Sequence, residues 1–166
     1  MKTLVVFYSR TGNTSVVASK IAALLNADTD RILGPQGYDG SFGFARALLH
    51  SISDRRVTIN PTKIKPAGYD LVVIGGPVWA GRVANPVRSY LRQFGHTFRQ
   101  VAYFVTLGGA SADKALAHMQ IVSGKRPIST LAITQKDLAS SSYDLMARNF
   151  ARSLQQAQER YVPDVA

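Results

Sequence analysis

The sequence predicts a doubly wound α/β domain, with a five-stranded parallel sheet and helices on both of its faces. Two observations carry this prediction. Short segments that are apolar at nearly every position recur at long intervals, which is typical of strands covered on both sides. Between them lie segments whose apolar residues recur every three to four positions, which is typical of amphipathic helices. Their alternation along 166 residues predicts a single domain over residues 1–166.

The predicted strands follow from the apolar runs. The first run, "LVVFY", is short, is followed by Ser9 and Arg10, and lacks the cleavage pattern of a signal peptide. We therefore interpret it as a buried strand. The five predicted strands cover Leu4–Tyr8, Thr29–Leu33, Leu71–Ile74, Val101–Leu107 and Ser129–Ile133.

The predicted helices follow from the periodic segments and from their start and stop signals. The first helix begins after Asn13, and a glycine-rich loop over residues 34–43 leads into a second helix over residues 42–52. Asn85 followed by Pro86 is a helix start signal, and Gly95 is a stop signal. The last two predicted helices cover Ala115–Val122 and the segment from Tyr143 to Ala157.

Composition narrows the function classes. The chain has 20 Lys and Arg against 10 Asp and Glu, which gives a net charge of +10. The basic residues are scattered and no nucleic-acid-binding motif accompanies them, so we expect no nucleic acid partner and a surface that favours acidic partners. The chain has no cysteine and its three histidines lack metal-site spacing, so no metal is expected. No apolar stretch reaches the roughly 20 residues that span a bilayer, and we expect a cytoplasmic protein.

The stretch "SRTGNT", residues 9–14, stands between the first strand and the first helix. Ligands of doubly wound sheets bind at the carboxyl ends of the strands. The first N–H groups of a helix are unpaired there, and the helix dipole adds partial positive charge. Gly12 allows a ligand to approach the backbone closely. Because the loop also supplies short donors and no carboxylate, we interpret it as a phosphate site, with donors Ser9, Thr11, Asn13 and Thr14.

These six residues resemble the T/S-x-T-G-N-T loop of the flavodoxin-like family, which holds the phosphate of flavin mononucleotide (FMN). The resemblance implies the strand order 2-1-3-4-5 and a non-covalently bound FMN. It assigns the phosphate to Ser9, Arg10, Thr11, Gly12, Asn13 and Thr14.

Two further loops extend the resemblance. Residues 75–91, "GGPVWAGRVANPVRSYL", follow the third strand and hold the single tryptophan of the chain. We interpret Gly75, Gly76 and Gly81 as residues that allow tight backbone turns. The family packs an aromatic residue of this loop against the flavin ring. Residues 106–111, "TLGGAS", fall where the family has its third flavin loop, and they contain no aromatic residue, so we expect one ring face to be accessible. The resemblance places at the ring Pro77, Val78, Trp79, Ala80, Gly81, Leu107, Gly108 and Gly109.

Other chemistries fit the sequence poorly. Receiver domains of phosphorelays share the strand order but need carboxylates where this chain has Ser9-Arg10 and Gly75-Gly76. The stretch "SGKR", residues 123–126, lacks the upstream glycine of a P-loop. No side chain is predicted as a catalytic acid or base.

Three functions remain open at the level of the sequence. The first is an FMN-dependent reductase that takes hydride from NAD(P)H and passes it to quinones or similar small acceptors. The second is an electron shuttle that docks to a redox partner protein, and the third is a flavin-free binding module. The accessible ring face, Arg10 and Arg82 near the loops, and the positive charge favour the reductase.

Overall fold

A parallel sheet forms the centre of the computed structural model, which describes residues 2–34, 59, 63–109 and 112–160. Its strands are β1 Thr3–Phe7, β2 Asp28–Arg31, β3 Leu71–Trp79, β4 Arg82–Val83, β5 Gln100–Leu107 and β6 Thr130–Thr134. Their order in the sheet is β2-β1-β3-β5-β6, and the short β4 pairs with β3 in the antiparallel direction. Counted without β4, the five parallel strands have the order 2-1-3-4-5, so the predicted fold class and topology are confirmed.

Helices cover both faces of the sheet. The described helices are α1 Asn13–Leu25, α2 Asn85–Phe94, α3 Ala112–Ser123, α4 Gln135–Ala139 and α5 Tyr143–Glu159, with 3₁₀ turns at Pro66–Gly68 and Gly95–Thr97. On one face, α1 and α5 pack on Val5 and Val73; on the other, α2 and α3 pack on Val72 and Ile74. Neighbouring residues of β3 thus point to opposite faces, and both faces are buried, as expected for a parallel sheet.

Strand β3 continues five residues beyond its predicted end at Ile74 and reaches Trp79. Gly75 and Gly76 lie inside it, so the interpretation of these glycines as turn residues is wrong. A Cβ at Gly75 would lie 2.2 Å from the ring of Phe104, and one at Gly76 would lie 2.6 Å from Val87 Cγ2. Both glycines are therefore packing residues that let neighbouring side chains approach the strand.

The extension of β3 ends in a tight hairpin. Val78 and Trp79 pair with Val83 and Arg82 of β4. The connecting residues Ala80 and Gly81 have φ angles of +48° and +75°. Positive φ at both central positions is the geometry of the two-residue turns that match the twist of paired strands.

The end of α2 also differs in detail from the prediction. Gly95 does follow the helix, but its φ is −51°, so it is not a left-handed stop residue. A Cβ at this position would lie 2.6 Å from the carbonyl oxygen of Ser123. Gly95 is therefore present because α2 and the end of α3 approach closely there. The helix predicted over residues 42–52 lies outside the described residues.

Candidate functional site

A cavity of about 290 Å³ opens at the carboxyl ends of the parallel strands. It lies between the loops that follow β1, β3 and β5, where a doubly wound sheet binds its ligand. The residues that line it are Arg10, Thr11, Asn13, Thr14, Pro77, Val78, Trp79, Thr106, Leu107, Gly108, Gln135 and Leu138.

Ser9 fixes the backbone of the first loop. It is 3% exposed, and its Oγ accepts hydrogen bonds from the N–H groups of Gly12 and Ser15, each at 3.2 Å. From the end of β2, the guanidinium of Arg31 donates to the Ser9 carbonyl oxygen at 2.9 Å. The two N–H groups occupy the acceptor lone pairs of the Ser9 hydroxyl, and Ser9 is not among the residues that line the cavity. Its side chain shapes the loop around the cavity.

The first turn of α1 presents unpaired backbone donors to the cavity. Gly12 precedes the helix with a φ of +98°, a left-handed value that favours glycine. Within the described part of the chain, the N–H groups of Asn13 and Thr14 have no hydrogen-bond partner, and both residues line the cavity. The first turn of α1 contains no acidic residue. Two free donors at the positive end of a helix dipole can bind an anion.

A pair of buried hydroxyls joins the first loop to β5. Thr14 is 2% exposed and Thr106 is 4% exposed, and their Oγ1 atoms lie 2.7 Å apart. Thr106 begins the predicted third flavin loop, residues 106–111, but it was not assigned a role of its own, because a single threonine at the end of an apolar strand carries no further signal.

Trp79 forms one wall of the cavity. Its side chain is 8% exposed, and its ring meets that of Tyr8 edge to face, with centroids 5.8 Å apart. The ring of Tyr8 in turn lies close to the backbone of Gly34, and a Cβ added at Gly34 would lie 3.0 Å from that ring. The indole is therefore fixed in orientation by packing before any ligand arrives.

The opposite wall combines the third loop with α4. Leu107 and Gly108 line it, and Gln135 and Leu138 complete it from the helix. The side chain of Gln135 lies beside Gly108, 3.7 Å from where a Cβ of that glycine would be. The side chains of this wall are aliphatic, apart from the amide of Gln135. Among the described residues that line the cavity, Trp79 in the facing wall is the aromatic one.

A capping box holds α4 against β6. The N–H and hydroxyl of Thr134 donate to the Asp137 carboxylate at 2.8 and 2.6 Å, and the Thr134 Oγ1 accepts from the Asp137 N–H. These bonds to Thr134 lower the pKa of the Asp137 carboxyl from its usual value. The sequence "TQKD", residues 134–137, fits the capping-box pattern, so this signal could have predicted α4 and its two lining residues.

The structure brings most of the predicted site residues to one cavity. Those that line it are Arg10, Thr11, Asn13, Thr14, Pro77, Val78, Trp79, Leu107 and Gly108. Those that shape its loops or lie beyond its lining are Ser9, Gly12, Ala80, Gly81 and Gly109. The lining residues that were not assigned individually to the site from the sequence are Thr106, Gln135 and Leu138.

Strand order and cavity position define a doubly wound α/β protein of the flavodoxin-like fold. A family model described as Flavodoxin matches residues 2–125, and the chain belongs to this family. A search of curated proteins finds none that matches the chain.

Solved structures of flavoproteins share the fold. A flavoprotein from Lactobacillus acidophilus NCFM in complex with FMN is 26% identical, with a TM-score of 0.71 over 85% of this chain and 98% of that one. The apo-form of the flavoprotein from the same organism is 25% identical, with a TM-score of 0.64 over 83% and 95%. A two-electron reduced flavodoxin from Megasphaera elsdenii is 15% identical, with a TM-score of 0.58 over 90% and 98%, which shows the fold alone.

Among the described helices, none is both long and apolar enough to cross a bilayer.

Proposed function

We propose that this protein binds FMN non-covalently in the cavity and transfers electrons or hydride through it. The observation that carries the proposal is the pair of N–H groups at Asn13 and Thr14, which have no hydrogen-bond partner among the described residues and belong to residues that line the same cavity as Trp79. The FMN complex of the Lactobacillus flavoprotein, 26% identical to this chain, supports the same ligand. When bound, the flavin supplies the redox chemistry.

The chain's own residues would hold and orient the cofactor. The N–H groups of Asn13 and Thr14, with the Thr11 and Thr14 hydroxyls, would bind the phosphate, and the Arg10 guanidinium would add positive charge. The described cavity lining contains no carboxylate that would repel a phosphate. The ring would lie between the Trp79 wall and the wall of Gly108 and Leu138.

We propose further that the protein is a reductase that accepts hydride from NAD(P)H. Hydride transfer requires the nicotinamide to lie in contact with the flavin, and therefore an accessible ring face. Among the described residues, the wall opposite Trp79 offers the backbone of Gly108 and the side chains of Leu107, Gln135 and Leu138, and Gly108 and Gln135 are exposed. The net charge of +10 favours the approach of an anionic dinucleotide. A quinone or a similar small acceptor would use the same face.

Two measurements test this proposal. Cofactor binding is tested by the absorbance of the purified protein and by titration of the apoprotein with FMN. A colourless protein that does not bind added FMN would be a flavin-free binding module. Anaerobic mixing of the loaded protein with NADH or NADPH in a stopped-flow instrument tests the reductase. We expect bleaching of the flavin within seconds. A flavin that stays oxidised with both nucleotides, but is reduced by a protein reductase, would establish an electron shuttle instead.

A further inference from the structure

The hydroxyls of Thr14 and Thr106 form a buried pair at the floor of the cavity. Their Oγ1 atoms are 2.7 Å apart, both residues line the cavity, and they lie 92 positions apart in the chain. Thr14 belongs to the first turn of α1, while Thr106 is the penultimate residue of β5. The pair therefore connects the phosphate loop to the strand that carries the third loop.

The number of hydrogens in this pair limits what it can do. A threonine hydroxyl has one hydrogen to donate and two lone pairs to accept with. Two hydroxyls bonded to each other consume one hydrogen and leave one. In the described part of the chain, neither hydroxyl has another hydrogen bond. The remaining hydrogen is therefore available to a ligand, and it belongs to whichever threonine accepts within the pair.

The surroundings of the pair decide which threonine accepts. An anion bound by the N–H groups of Asn13 and Thr14 would lie at the start of α1, where the Thr14 side chain also stands. A phosphate oxygen at that point can only accept, so it selects the arrangement in which Thr14 donates to it. The Thr14 oxygen must then accept from Thr106, and each bond of such a chain strengthens the next.

We propose that Thr106 is a positioning residue for the phosphate end of the ligand: it donates to Thr14 and so directs the single Thr14 hydrogen to the phosphate. This inference rests on the proposed FMN site and assigns to it a determinant outside the phosphate loop. Thr106 thereby contributes, through Thr14, to the preference for a phosphorylated flavin over riboflavin, which lacks the phosphate.

The test compares FMN and riboflavin binding to the apoprotein of Thr106→Val, which keeps the shape of the side chain and removes the hydroxyl. We expect the Kd for FMN to rise about five- to tenfold and the Kd for riboflavin to change less than about twofold. Thr106→Ser restores the hydroxyl and should recover most of the FMN affinity. Thr3→Val is the matched control, since Thr3 is also a buried strand threonine but lies in β1 away from the cavity lining.

A double-mutant cycle with Thr14→Val isolates the relay. Once Thr14 has no hydroxyl, removing that of Thr106 should change FMN affinity less than about twofold. Should the valine variant fold poorly by circular dichroism, Thr106→Ala carries the same expectations.

Three distinguishable results would contradict the role of Thr106, the relay through Thr14 or the proposed FMN site. Equal loss of FMN and riboflavin in Thr106→Val would make Thr106 a general support of the cavity and overturn its positioning role. A loss of FMN affinity that persists in the Thr14→Val background would overturn the relay. Failure of the unmodified protein to bind FMN at all would instead refute the proposed function.

Discussion

The rings of Tyr8 and Trp79 meet edge to face at 90°, with their centroids 5.8 Å apart. This geometry is favoured by the aromatic quadrupoles and is worth about 0.5–1.5 kcal/mol beyond the burial of the rings. Tyr8 follows β1 and Trp79 ends β3, so the contact joins the first two loops of the site. The orientation of the indole at the cavity is thus set by the protein.

Trp79 should report cofactor binding through its fluorescence. It is the single tryptophan of the chain, and it lines the cavity. We expect its emission to fall as FMN is added to the apoprotein and to return when the cofactor is removed. Tyr8→Ala should reduce the quenching, because the indole loses the ring that orients it, whereas Tyr8→Phe should preserve it. Unchanged emission on titration would place Trp79 outside the flavin site.

Thr11 should distinguish phosphorylated from unphosphorylated flavin. Its side chain is exposed at the cavity, in the loop before α1. A hydroxyl bonded to a charged phosphate contributes about 1.5–3 kcal/mol, so Thr11→Ala should weaken FMN binding roughly tenfold or more. Riboflavin should be affected much less, by isothermal titration calorimetry. Thr130→Ala removes an exposed threonine at the start of β6 and serves as the control. A similar loss for both flavins would contradict the phosphate assignment.

An aromatic residue at position 135 should close the ring face that the reductase proposal requires to be open. Gln135 lines the wall opposite Trp79 and follows the cap residue of α4, so its replacement leaves the capping box intact. We expect Gln135→Tyr to retain FMN and to slow anaerobic bleaching by NAD(P)H by about tenfold or more, since a nicotinamide must reach contact distance. Lys136→Tyr, one residue along the helix and outside the cavity lining, should leave the rate unchanged. Equal rates for both variants would place the hydride path elsewhere.

The hairpin between β3 and β4 should respond oppositely to two substitutions. Ala80 has a φ of +48° and Gly81 a φ of +75°. A left-handed conformation costs a residue with a Cβ about 1–2 kcal/mol. Ala80→Gly removes this cost, although the larger entropy of glycine in the unfolded chain offsets part of the gain. The free energy of unfolding should therefore rise in Ala80→Gly. Gly81→Ala should lower the free energy of unfolding by about 1 kcal/mol or more. Urea unfolding followed by circular dichroism measures both, and a stabilised Gly81→Ala would contradict this turn geometry.

The capping box of α4 should make part of the stability depend on pH. Hydrogen bonds from Thr134 hold the pKa of the Asp137 carboxyl below its usual value. A carboxyl whose pKa is lowered in the folded state stabilises the protein above its unfolded pKa of about 3.9, and this contribution is lost as the pH falls through the folded pKa. The Tm of the unmodified protein should therefore exceed that of Asp137→Asn at neutral pH, and the two should converge in acid. Asp113→Asn, in the exposed first turn of α3, controls for the loss of a helix-start carboxylate. A difference in Tm that persists in acid would exclude the charge of Asp137 as its cause.

The sequence predicted the order of the elements because parallel strands are recognisable as continuous apolar runs. The prediction failed at three glycines, because a glycine can serve either backbone freedom or close packing. Gly75, Gly76 and Gly95 were interpreted through backbone freedom, but they are present because a neighbouring atom occupies the space of a Cβ. Such close approaches involve partners such as Phe104 that are distant in the chain, and no local pattern encodes them.

The residues of the site likewise divide into those that a local pattern predicts and those that depend on contacts distant in the chain. The proposed phosphate loop is local, so six consecutive residues were enough to suggest it. Thr106 and Leu138 reach the cavity only through the packing of β5 and α4. The capping box shows that part of this information was present in the sequence as a helix start. Its relation to the cavity became visible only in three dimensions.

The cavity has a consequence for the lifetime of the protein. Its lining comes from residues 10, 11, 13, 14, 77–79, 106–108, 135 and 138, so it exists only when nearly the whole sheet has formed. A ligand bound by the folded state alone shifts the folding equilibrium by mass action, by about 2.7 kcal/mol at a hundredfold excess over its Kd. Domains of this size are stable by only about 5–15 kcal/mol. Chains supplied with flavin would therefore withstand proteases that digest flavin-starved ones, and the cellular level of this protein would follow the supply of its cofactor.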